Sequence, residues 1–305
     1  MLLGVGLPVS GPWATPEAMR HVATRAEDLG FASVWAFQRL LHPVDEDWGA
    51  VYHAVADPVA ALSYVAAVTE RIRLGIAIVN LPFYAPIVLA KSLTTLDRLS
   101  HGRLDVGLGI GWARQEFEAA GVPMARRGAR AEEFVACLTQ IWTEPEVEFH
   151  GEFYDVPRSR VEPKPVQQPH PPLLMGATAE VALRRVGRIA DGWVSSSRVD
   201  LTTIDTSIAV VRTAAEHAGR DPGALRFVVR GVVRLTDGDG PADRRPLQGS
   251  AQQVSDDLLR LEDVGVTEVF LDLNWDPRSV SDGVDEAAAL ANADRVLDAF
   301  APRAR

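Results

Sequence analysis

Short apolar runs alternate with longer amphipathic stretches along almost the whole chain. Eight runs rich in Leu, Val and Ile lie at residues 2–7, 33–37, 72–79, 103–108, 172–175, 192–195, 226–233 and 268–273. The stretches between them repeat apolar residues every three or four positions, as residues 15–29 do with Met19, Val22 and Ala26, which is typical of amphipathic helices. Strands that are apolar throughout and joined by helices predict a parallel sheet covered on both faces.

Eight strand–helix units in 305 residues favour a (β/α)8 TIM barrel, which needs about 250 residues before insertions. A doubly wound open sheet is the alternative. The proline-rich segment 143–171 predicts an insertion between the fourth and fifth units, with a hairpin formed by residues 146–149 and 151–156. The polar segment 236–249 follows the seventh strand, and we interpret it as a lid loop on the rim of the barrel. Residues 1–305 are expected to form one domain.

Charge and composition exclude several classes of function. A net charge of −10 disfavours a nucleic-acid partner, which requires clustered Lys and Arg. No run approaches the roughly 18 apolar residues of a membrane span, and the short apolar start lacks the features of a signal peptide. We therefore expect a cytoplasmic protein without a membrane partner. Cys137 is the single cysteine and the seven histidines show no ligand spacing, so no metal site is expected.

The stretch "GRLDVGLGIGWARQEF", residues 102–117, contains three alternating glycines, Gly107, Gly109 and Gly111. Their spacing does not match the G-x-G-x-x-G fingerprint of dinucleotide-binding proteins. Alternating glycines clear side chains from one strand face, so a flat ligand or a neighbouring backbone can approach closely. A tight turn with a packing tryptophan is the alternative. The end of this strand lies on the rim where barrel active sites are built.

The rims after the first, third and fourth strands carry Gly, Pro and aromatic residues with few charges, as in residues 80–84, "NLPFY". A planar, largely uncharged ring system suits such a wall. The sequence thus predicts a ring-binding surface built from adjacent strand ends.

Long segments of the chain resemble the bacterial luciferase-like superfamily and, within it, the coenzyme F420-dependent oxidoreductases. The segments are "EDLGFASVW" (27–35), "DRLSHGRLDVGLGIGW" (97–112), "RGAR" (127–130), "PKPVQQPHPPLLMGA" (163–177), "ADGW" (190–193) and "GSAQQVSDDLLRLEDVGVTEVFLD" (249–272). The resemblance implies a barrel that binds a flavin or deazaflavin at its C-terminal mouth, acts on a small molecule and forms a homodimer.

The resemblance also implies which residues hold the cofactor. A non-prolyl cis peptide bond between Ala77 and Ile78 would back the ring, with Asn80 farther along the same strand. Residues that would line the cofactor are Gly109, Ile110, Gly111, Trp112 and Gln115. The loop of Met175, Gly176, Ala177 and Thr178 opens a helix, so its free N–H groups would hold the phosphate of the cofactor tail.

Relatives often carry an Asp-His pair at the end of the second strand, where this chain has Gln38 and Arg39. Gln38 can hydrogen-bond a ring carbonyl or amide. Arg39 stays protonated at neutral pH and cannot act as a base, but it suits a developing negative charge, such as an enolate formed when hydride adds to an unsaturated carbonyl. Oxidation of glucose 6-phosphate, which needs the base and an acid where Trp112 stands, is disfavoured.

The leading hypothesis is an oxidoreductase that transfers a hydride between coenzyme F420 and a small organic substrate, for example an unsaturated carbonyl or an imine. A reduced-FMN-dependent monooxygenase of the same fold is the alternative. The missing Asp-His pair also keeps open a non-catalytic flavin-binding relative.

Other polar and aromatic residues near the predicted mouth have two interpretations. His42 and His53 flank three acidic residues, which provide either a catalytic acid or a solvated loop. Trp48 and Tyr52 could wall a substrate. Asp272 and Asn274 end the eighth strand, with a substrate-binding or a purely structural role.

Overall fold

The computed structural model describes residues 1–302, so positions 303–305 of the expected domain lie outside the described residues. The strands are β1 (Leu2–Gly6), β2 (Ser33–Ala36), β3 (Arg73–Asn80), β4 (Leu104–Gly109), β5 (Val147–His150), β6 (Asp155–Ser159), β7 (Leu173–Gly176), β8 (Gly192–Val194), β9 (Arg226–Val232), β10 (Arg234–Leu235), β11 (Gln248–Gly249) and β12 (Glu268–Asp272). Eight of them close into a parallel barrel in the order β1, β12, β9, β8, β7, β4, β3, β2. The TIM-barrel prediction is confirmed, and the open-sheet alternative is wrong.

Helices cover the outside of the barrel. They are α1 (Pro16–Asp28), α2 (Pro58–Ala66), α3 (Pro86–Leu99), α4 (Arg114–Ala119), α5 (Arg127–Thr143), α6 (Glu180–Ile189), α7 (Ile204–His217), α8 (Ala251–Asp263), α9 (Pro277–Val280) and α10 (Glu286–Phe300). The start of α1 follows from its sequence, because the backbone N–H of Ala18 donates to the Thr15 side chain at 3.1 Å and Pro16 needs no partner in the first turn. No helix in the described range 1–302 is both long and apolar enough to cross a bilayer.

The predicted insertion lies between α5 and β7, where β5 and β6 form an antiparallel pair. Its second strand begins later than the sequence pattern indicates. The Glu133 carboxylate on α5 accepts hydrogen bonds from the backbone N–H groups of Glu152, Phe153 and Tyr154 at 2.9, 2.7 and 2.7 Å. These bonds hold residues 152–154 in the connection between the strands, so pairing resumes only at Asp155.

Segment 236–249 follows β10 and ends in β11, which pairs with β10 in parallel. The Asp257 carboxylate on α8 accepts from the backbone N–H of Leu247 at 2.7 Å and from Arg244 at 2.6 Å. One end of the segment is therefore anchored to α8. Its role as a lid stays a prediction.

An ionic cluster fills the barrel at the end where the strands begin. The fully buried Asp105 on β4 receives Arg73 at 2.7 Å and Arg226 at 2.6 Å, and Arg226 also contacts Glu268 at 2.9 Å. Burial opposes ionisation of Asp105, but the two guanidinium groups outweigh it and hold its pKa below the ordinary value. This end of a TIM barrel serves stability, whereas the opposite end carries the active site.

The stretch "DRLSHGR" at 97–103 serves the same end of the barrel. The buried Arg103 guanidinium donates to the carbonyl oxygens of Ala66, Thr69, Ile72 and Ser100 at 2.7–3.1 Å. These carbonyls lie at or after the C-terminal ends of α2 and α3, where helices leave acceptors unpaired. The most recognisable motif of the chain is therefore a structural clamp far from the mouth.

Candidate active site

The third strand carries a backbone irregularity at the mouth of the barrel. The peptide bond between Ala77 and Ile78 is cis, at the position that the resemblance implies. The register of β3 against β4 shifts between Ile76 and Val79. Arg230, on the opposite side of the barrel interior, donates a hydrogen bond to the Ala77 carbonyl oxygen. The deformed strand is thus held from inside the barrel.

The alternating glycines make room for this strand. A Cβ on Gly107 would lie 2.1 Å from the Ile76 carbonyl oxygen, and a Cβ on Gly109 would lie 1.7 Å from Ile78 Cδ1. Gly176 on β7 borders the same side chain, since a Cβ there would lie 3.2 Å from Ile78 Cγ2. The alternating glycines predict the close approach of either a flat ligand or a neighbouring backbone. In the structure, Gly107 and Gly109 accommodate the neighbouring strand β3. The half-buried Ile78 forms the apolar floor of this part of the mouth.

Gln38 is bound to protein atoms on β3 and just beyond it. Its side-chain N–H donates to the Tyr84 hydroxyl at 2.6 Å, and its side-chain oxygen accepts from the Asn80 backbone N–H at 2.8 Å. Burial raises the pKa of the Tyr84 hydroxyl, although the Gln38 contact opposes the shift. The expected hydrogen bond from Gln38 to a cofactor therefore has competitors, because the buried amide already has two partners.

Arg39 is enclosed by aromatic rings. Its guanidinium carbon lies 5.6, 5.0 and 4.9 Å from the ring centroids of Trp48, Tyr52 and Trp112, within the range of cation–π attraction. Burial lowers the pKa of Arg39, while the nearby Glu116 carboxylate opposes the change. Only 7% of the Arg39 side chain is exposed, and its Nε lies 3.4 Å from Glu116 Oε1.

The Arg39 environment leaves polar atoms without partners. Nε and Nη1 of Arg39 and Oε2 of Glu116 are buried without a hydrogen bond. Such groups are costly to leave unpaired. Glu116 was missed in the sequence because it lies in a short charged stretch, "RQEFEA", that has the composition of a solvated helix face.

Arg230 is a second functional candidate that the sequence pattern did not reveal. It is buried, and its guanidinium carbon lies 5.1, 5.4 and 4.6 Å from the rings of Phe37, Phe270 and Trp275. Its Nε lies 3.5 Å from Asp272 Oδ2. Burial lowers the pKa of Arg230 and raises that of Asp272. The available signal was an arginine inside the otherwise apolar strand "RFVVRGV".

Asp272 and Asn274 act on the protein itself. The Asn274 side-chain N–H donates to the Leu7 carbonyl at 2.9 Å and to Asp272 Oδ1 at 2.8 Å, and both residues are buried. These contacts favour the structural interpretation of the pair, because they tie the end of β12 to the end of β1.

The predicted phosphate loop joins β7 to α6. Trp193 fixes it by donating to the Ala177 carbonyl at 2.9 Å. Thr178 is exposed, and Ala179 precedes α6 without a side-chain cap. The first N–H groups of α6 therefore point out of the helix without a capping oxygen, which is a favourable arrangement for an anion.

Trp112 and Gln115 follow β4 and contact the loop that follows β2. Trp112 is 46% exposed, and the guanidinium carbons of Arg39 and Arg198 lie 4.9 and 5.5 Å from its ring centroid. Gln115 donates to Glu46 in the loop after β2. In that loop, the rings of His42 and His53 contact each other with centroids 4.5 Å apart.

A cavity of about 680 Å³ opens next to these residues. We call it the arginine cavity, after Arg198, Arg230, Arg234 and Arg245, which line it. The loops that follow β2, β8, β9 and β12 supply its walls. None of Ile78, Asn80, Gly109, Gly111 and Gly176, which we call the glycine wall, borders it. The mouth therefore has two parts, and the arginine cavity lies beside the surface that the sequence pattern indicates.

Sequence comparison identifies relatives over most of the chain. The family profile described as luciferase-like monooxygenase matches residues 4–255. An uncharacterised protein of Mycobacterium tuberculosis is 38% identical over 221 residues, covering 72% of this chain and 70% of that protein. The F420-dependent glucose-6-phosphate dehydrogenase of Kineococcus radiotolerans is 30% identical over 266 residues, covering 83% and 76%. The FMNH2-dependent dimethylsulfone monooxygenase of Pseudomonas putida is 33% identical over 174 residues, covering 56% and 47%.

Solved structures share the fold. The monooxygenase RslO1 from Streptomyces bottropensis superposes with a TM-score of 0.81 at 23% identity, covering 98% of both chains. An F420-dependent secondary alcohol dehydrogenase in complex with an F420–acetone adduct superposes with a TM-score of 0.77 at 18% identity, again covering 98% of both chains. At these identities the likeness bears on the fold alone.

Proposed function

Since this chain belongs to the luciferase-like monooxygenase family, we propose that it is an oxidoreductase that transfers a hydride between coenzyme F420 and a small organic substrate. The F420-dependent relative that aligns with 83% of the chain supports this choice of cofactor. The single observation that carries the proposal is the glycine wall, where Ile78 lies against the side-chain-free Gly109 and Gly176.

The residues at the mouth fit a deazaflavin or flavin. Ile78 offers an apolar floor for a planar ring, and the uncapped start of α6 offers N–H groups to a phosphate. The Arg39 Nη1, which has no hydrogen bond among residues 1–302, would be available to a polar edge of that ring. Bound there, the cofactor would supply hydride chemistry that no side chain can provide.

The protein's own part is to orient the reactants and stabilise charge. Arg39 and Arg230 are the two cations buried at the mouth, and a fixed positive charge in a site of low dielectric stabilises an oxygen that becomes negative. Trp112 covers Arg39 and excludes water from it. These features favour reduction of an unsaturated carbonyl or imine, with Arg39 as the proposed electrostatic catalyst and Gln38 as its neighbour on the ring side.

The sugar phosphate oxidised by the Kineococcus radiotolerans relative is a poor candidate. At the end of β2 this chain has Gln38 and Arg39, and neither serves as a general base at neutral pH. Trp112 likewise supplies no acid. A preference for a different substrate is therefore part of the proposal.

Titration with cofactor tests the proposal directly. We expect coenzyme F420 to quench the tryptophan fluorescence of the purified protein with saturation, because Trp112 lies at the mouth, and FMN to bind more weakly. Tight FMN binding without F420 binding would overturn the choice of cofactor. Quenching by neither compound would overturn the flavin or deazaflavin site altogether.

A reduced-FMN-dependent monooxygenase is the second candidate, favoured by the 33% identical sulfone monooxygenase. Consumption of oxygen with reduced FMN and a substrate panel would support it. If the protein binds F420 yet never oxidises reduced F420 with enones or imines, a non-catalytic flavin-binding role replaces both. The expected homodimer is tested separately by light scattering.

A further inference from the structure

The arginine cavity concentrates positive charge in an acidic protein. Four arginines line it, and Asp200 is the single acidic residue among its lining residues. The chain as a whole carries a net charge of −10. A local excess of cations against that background requires an explanation, because like charges in one cavity repel each other.

Three of these arginines have no ionic partner among residues 1–302. Arg198, Arg234 and Arg245 form no ion pair, whereas most arginines elsewhere in the described chain form one. The Arg198 guanidinium carbon lies 5.5 Å from the centroid of the Trp112 ring. Asp200 forms no ion pair with any of them, and its Oδ1 accepts from the backbone and hydroxyl of Thr202 at 2.9 and 2.7 Å.

Arg230 provides a second, independent observation at the base of the cavity. It is 9% exposed, and its Nε lacks a hydrogen-bond partner. That Nε lies 3.5 Å from Asp272 Oδ2 in an ion pair, whereas Asp272 Oδ1 accepts from Asn274. A buried arginine at the base of a cavity whose other three arginines form no ion pair among residues 1–302 indicates a place where an anion completes the charge balance.

The aromatic residues that line the cavity indicate what kind of molecule carries that anionic group. Trp48, Tyr52 and Trp275 line the same cavity, with Tyr52 and Trp275 in edge contact at 6.1 Å. Aromatic walls bind flat apolar groups through stacking and edge contacts. A cavity of about 680 Å³ is within the usual size range for small-molecule sites.

The cavity is distinct from the surface assigned above to the cofactor. It is bordered by loops after β2, β8, β9 and β12, whereas the glycine wall belongs to β3, β4 and β7. The start of α6, proposed for the cofactor phosphate, does not line it. A ligand in the cavity would therefore lie beside a ring on the glycine wall, as a substrate must.

We propose that the arginine cavity binds the carboxylate, sulfonate or phosphate group of a small anionic substrate with a flat apolar body. That the bound anion is a substrate rests on the proposed function, whereas binding of the anion does not. Arg234 and Arg245 bind the anionic group from the rim. Arg230 binds it from the base, and the aromatic residues hold the apolar body toward the glycine wall.

Isothermal titration of the cofactor-free protein tests anion recognition with a matched pair of probes, cinnamate and its neutral isostere cinnamamide. We expect cinnamate to bind at least about tenfold more tightly, since charge-assisted hydrogen bonds are worth about that factor. R234Q and R245Q should each weaken cinnamate binding by about tenfold and leave cinnamamide unchanged. R20Q removes an exposed arginine of α1 outside the cavity and should change neither.

Equal affinity for the two probes, or cinnamate binding unaffected by R234Q and R245Q, overturns the proposal. A second arm compares FMN with riboflavin in the same variants. If R234Q and R245Q weaken FMN selectively and leave cinnamate unchanged, the arginines hold a cofactor phosphate and the substrate proposal is wrong. Cinnamate recognition without binding of F420 or FMN would support this inference while overturning the proposed function, so the two fail separately.

Discussion

The Arg230 guanidinium on β9 donates a hydrogen bond to the carbonyl oxygen of Ala77, the residue that begins the cis peptide bond of β3. The two residues are 153 positions apart in the chain. Arg230 also borders the arginine cavity. One buried side chain thus links the backbone irregularity of one wall to the electrostatics of the other.

Replacing Arg230 with Met should destabilise the fold by about 3 kcal/mol, because removing one member of a buried ion pair leaves the other charge uncompensated. Urea unfolding measures the loss. The double variant R230M/D272N removes the stranded charge of Asp272 and should recover part of it. If the loss of stability in the double variant equals the sum of the losses in R230M and D272N, the two residues are not coupled.

Gly109→Ala should force Ile78 to move, because the new Cβ would lie 1.7 Å from Ile78 Cδ1. We expect a loss of about 1–3 kcal/mol in the free energy of unfolding. Shortening the neighbour in G109A/I78A should restore part of that loss. G121A is a useful control because no atom lies within 4 Å of a Cβ there, although its positive φ adds a backbone cost.

A double variant no more stable than G109A would mean that Ile78 is not what the glycine accommodates. The same proteins report on the glycine wall through their affinity for F420. We expect G109A to bind the cofactor more weakly, since a displaced Ile78 alters the floor of the site.

Arg39→Ala should lower kcat/KM for reduction of an enone by reduced F420 by about 100-fold, as expected when a donor that stabilises developing charge is removed. R39K keeps a positive charge but loses the planar guanidinium, so its kcat/KM should lie between those of wild type and R39A. Stopped-flow absorbance of the cofactor follows the reaction. Unchanged turnover in R39A would show that Arg39 does not stabilise the developing charge. W112F keeps the charge of Arg39 but changes the ring packed against it, so it separates the two effects.

Asp105→Asn should destabilise the protein at neutral pH by about 3–5 kcal/mol, because Arg73 and Arg226 lose a buried partner. The folded-state pKa of Asp105 is below its ordinary value. Its ionised form therefore stabilises the fold at pH values above the unfolded pKa of about 3.9, and this contribution declines as the pH falls through the lower folded value. The gap between wild type and D105N in unfolding free energy should stay constant from about pH 7 to 5 and narrow below about 4. A gap independent of pH down to the acid transition would contradict the assignment.

Arg103→Met should cost about 3 kcal/mol or more, because several carbonyl acceptors near the ends of α2 and α3 lose their donor. Cofactor affinity in the folded variant should remain that of wild type, since the clamp lies at the far end of the barrel. Replacing the exposed Arg114, whose side chain has no hydrogen bond or ion pair in the described chain, provides a matched control. A loss of affinity without a loss of stability would place Arg103 in communication with the mouth.

Much of the fold could be predicted because its causes are local. Apolar runs fixed the eight barrel strands to within one or two residues, and Thr15 followed by Pro16 located the start of α1. The insertion between the fourth and fifth units followed from proline density. Each of these depends on neighbours in the chain.

The site was harder to predict because its contacts are distant in sequence. An arginine within an apolar strand gives no indication that it reaches Ala77, and Glu116 looks like any surface carboxylate until it is placed beside Arg39. Alternating glycines fit equally well with a ligand or a strand pressed against them. In the structure, Ile76 and Ile78 occupy the space that Gly107 and Gly109 leave free. This packing cannot be read from the order of residues alone.

The division of the mouth between two sets of strands has an evolutionary consequence. Loops after β2, β8, β9 and β12 border the arginine cavity, so substitutions in them alter the cavity without touching the deformed β3 and its glycine neighbours. The ionic cluster around Asp105, at the far end, maintains the scaffold throughout such changes. Changes in the molecule that the arginine cavity accepts can therefore leave the glycine wall intact.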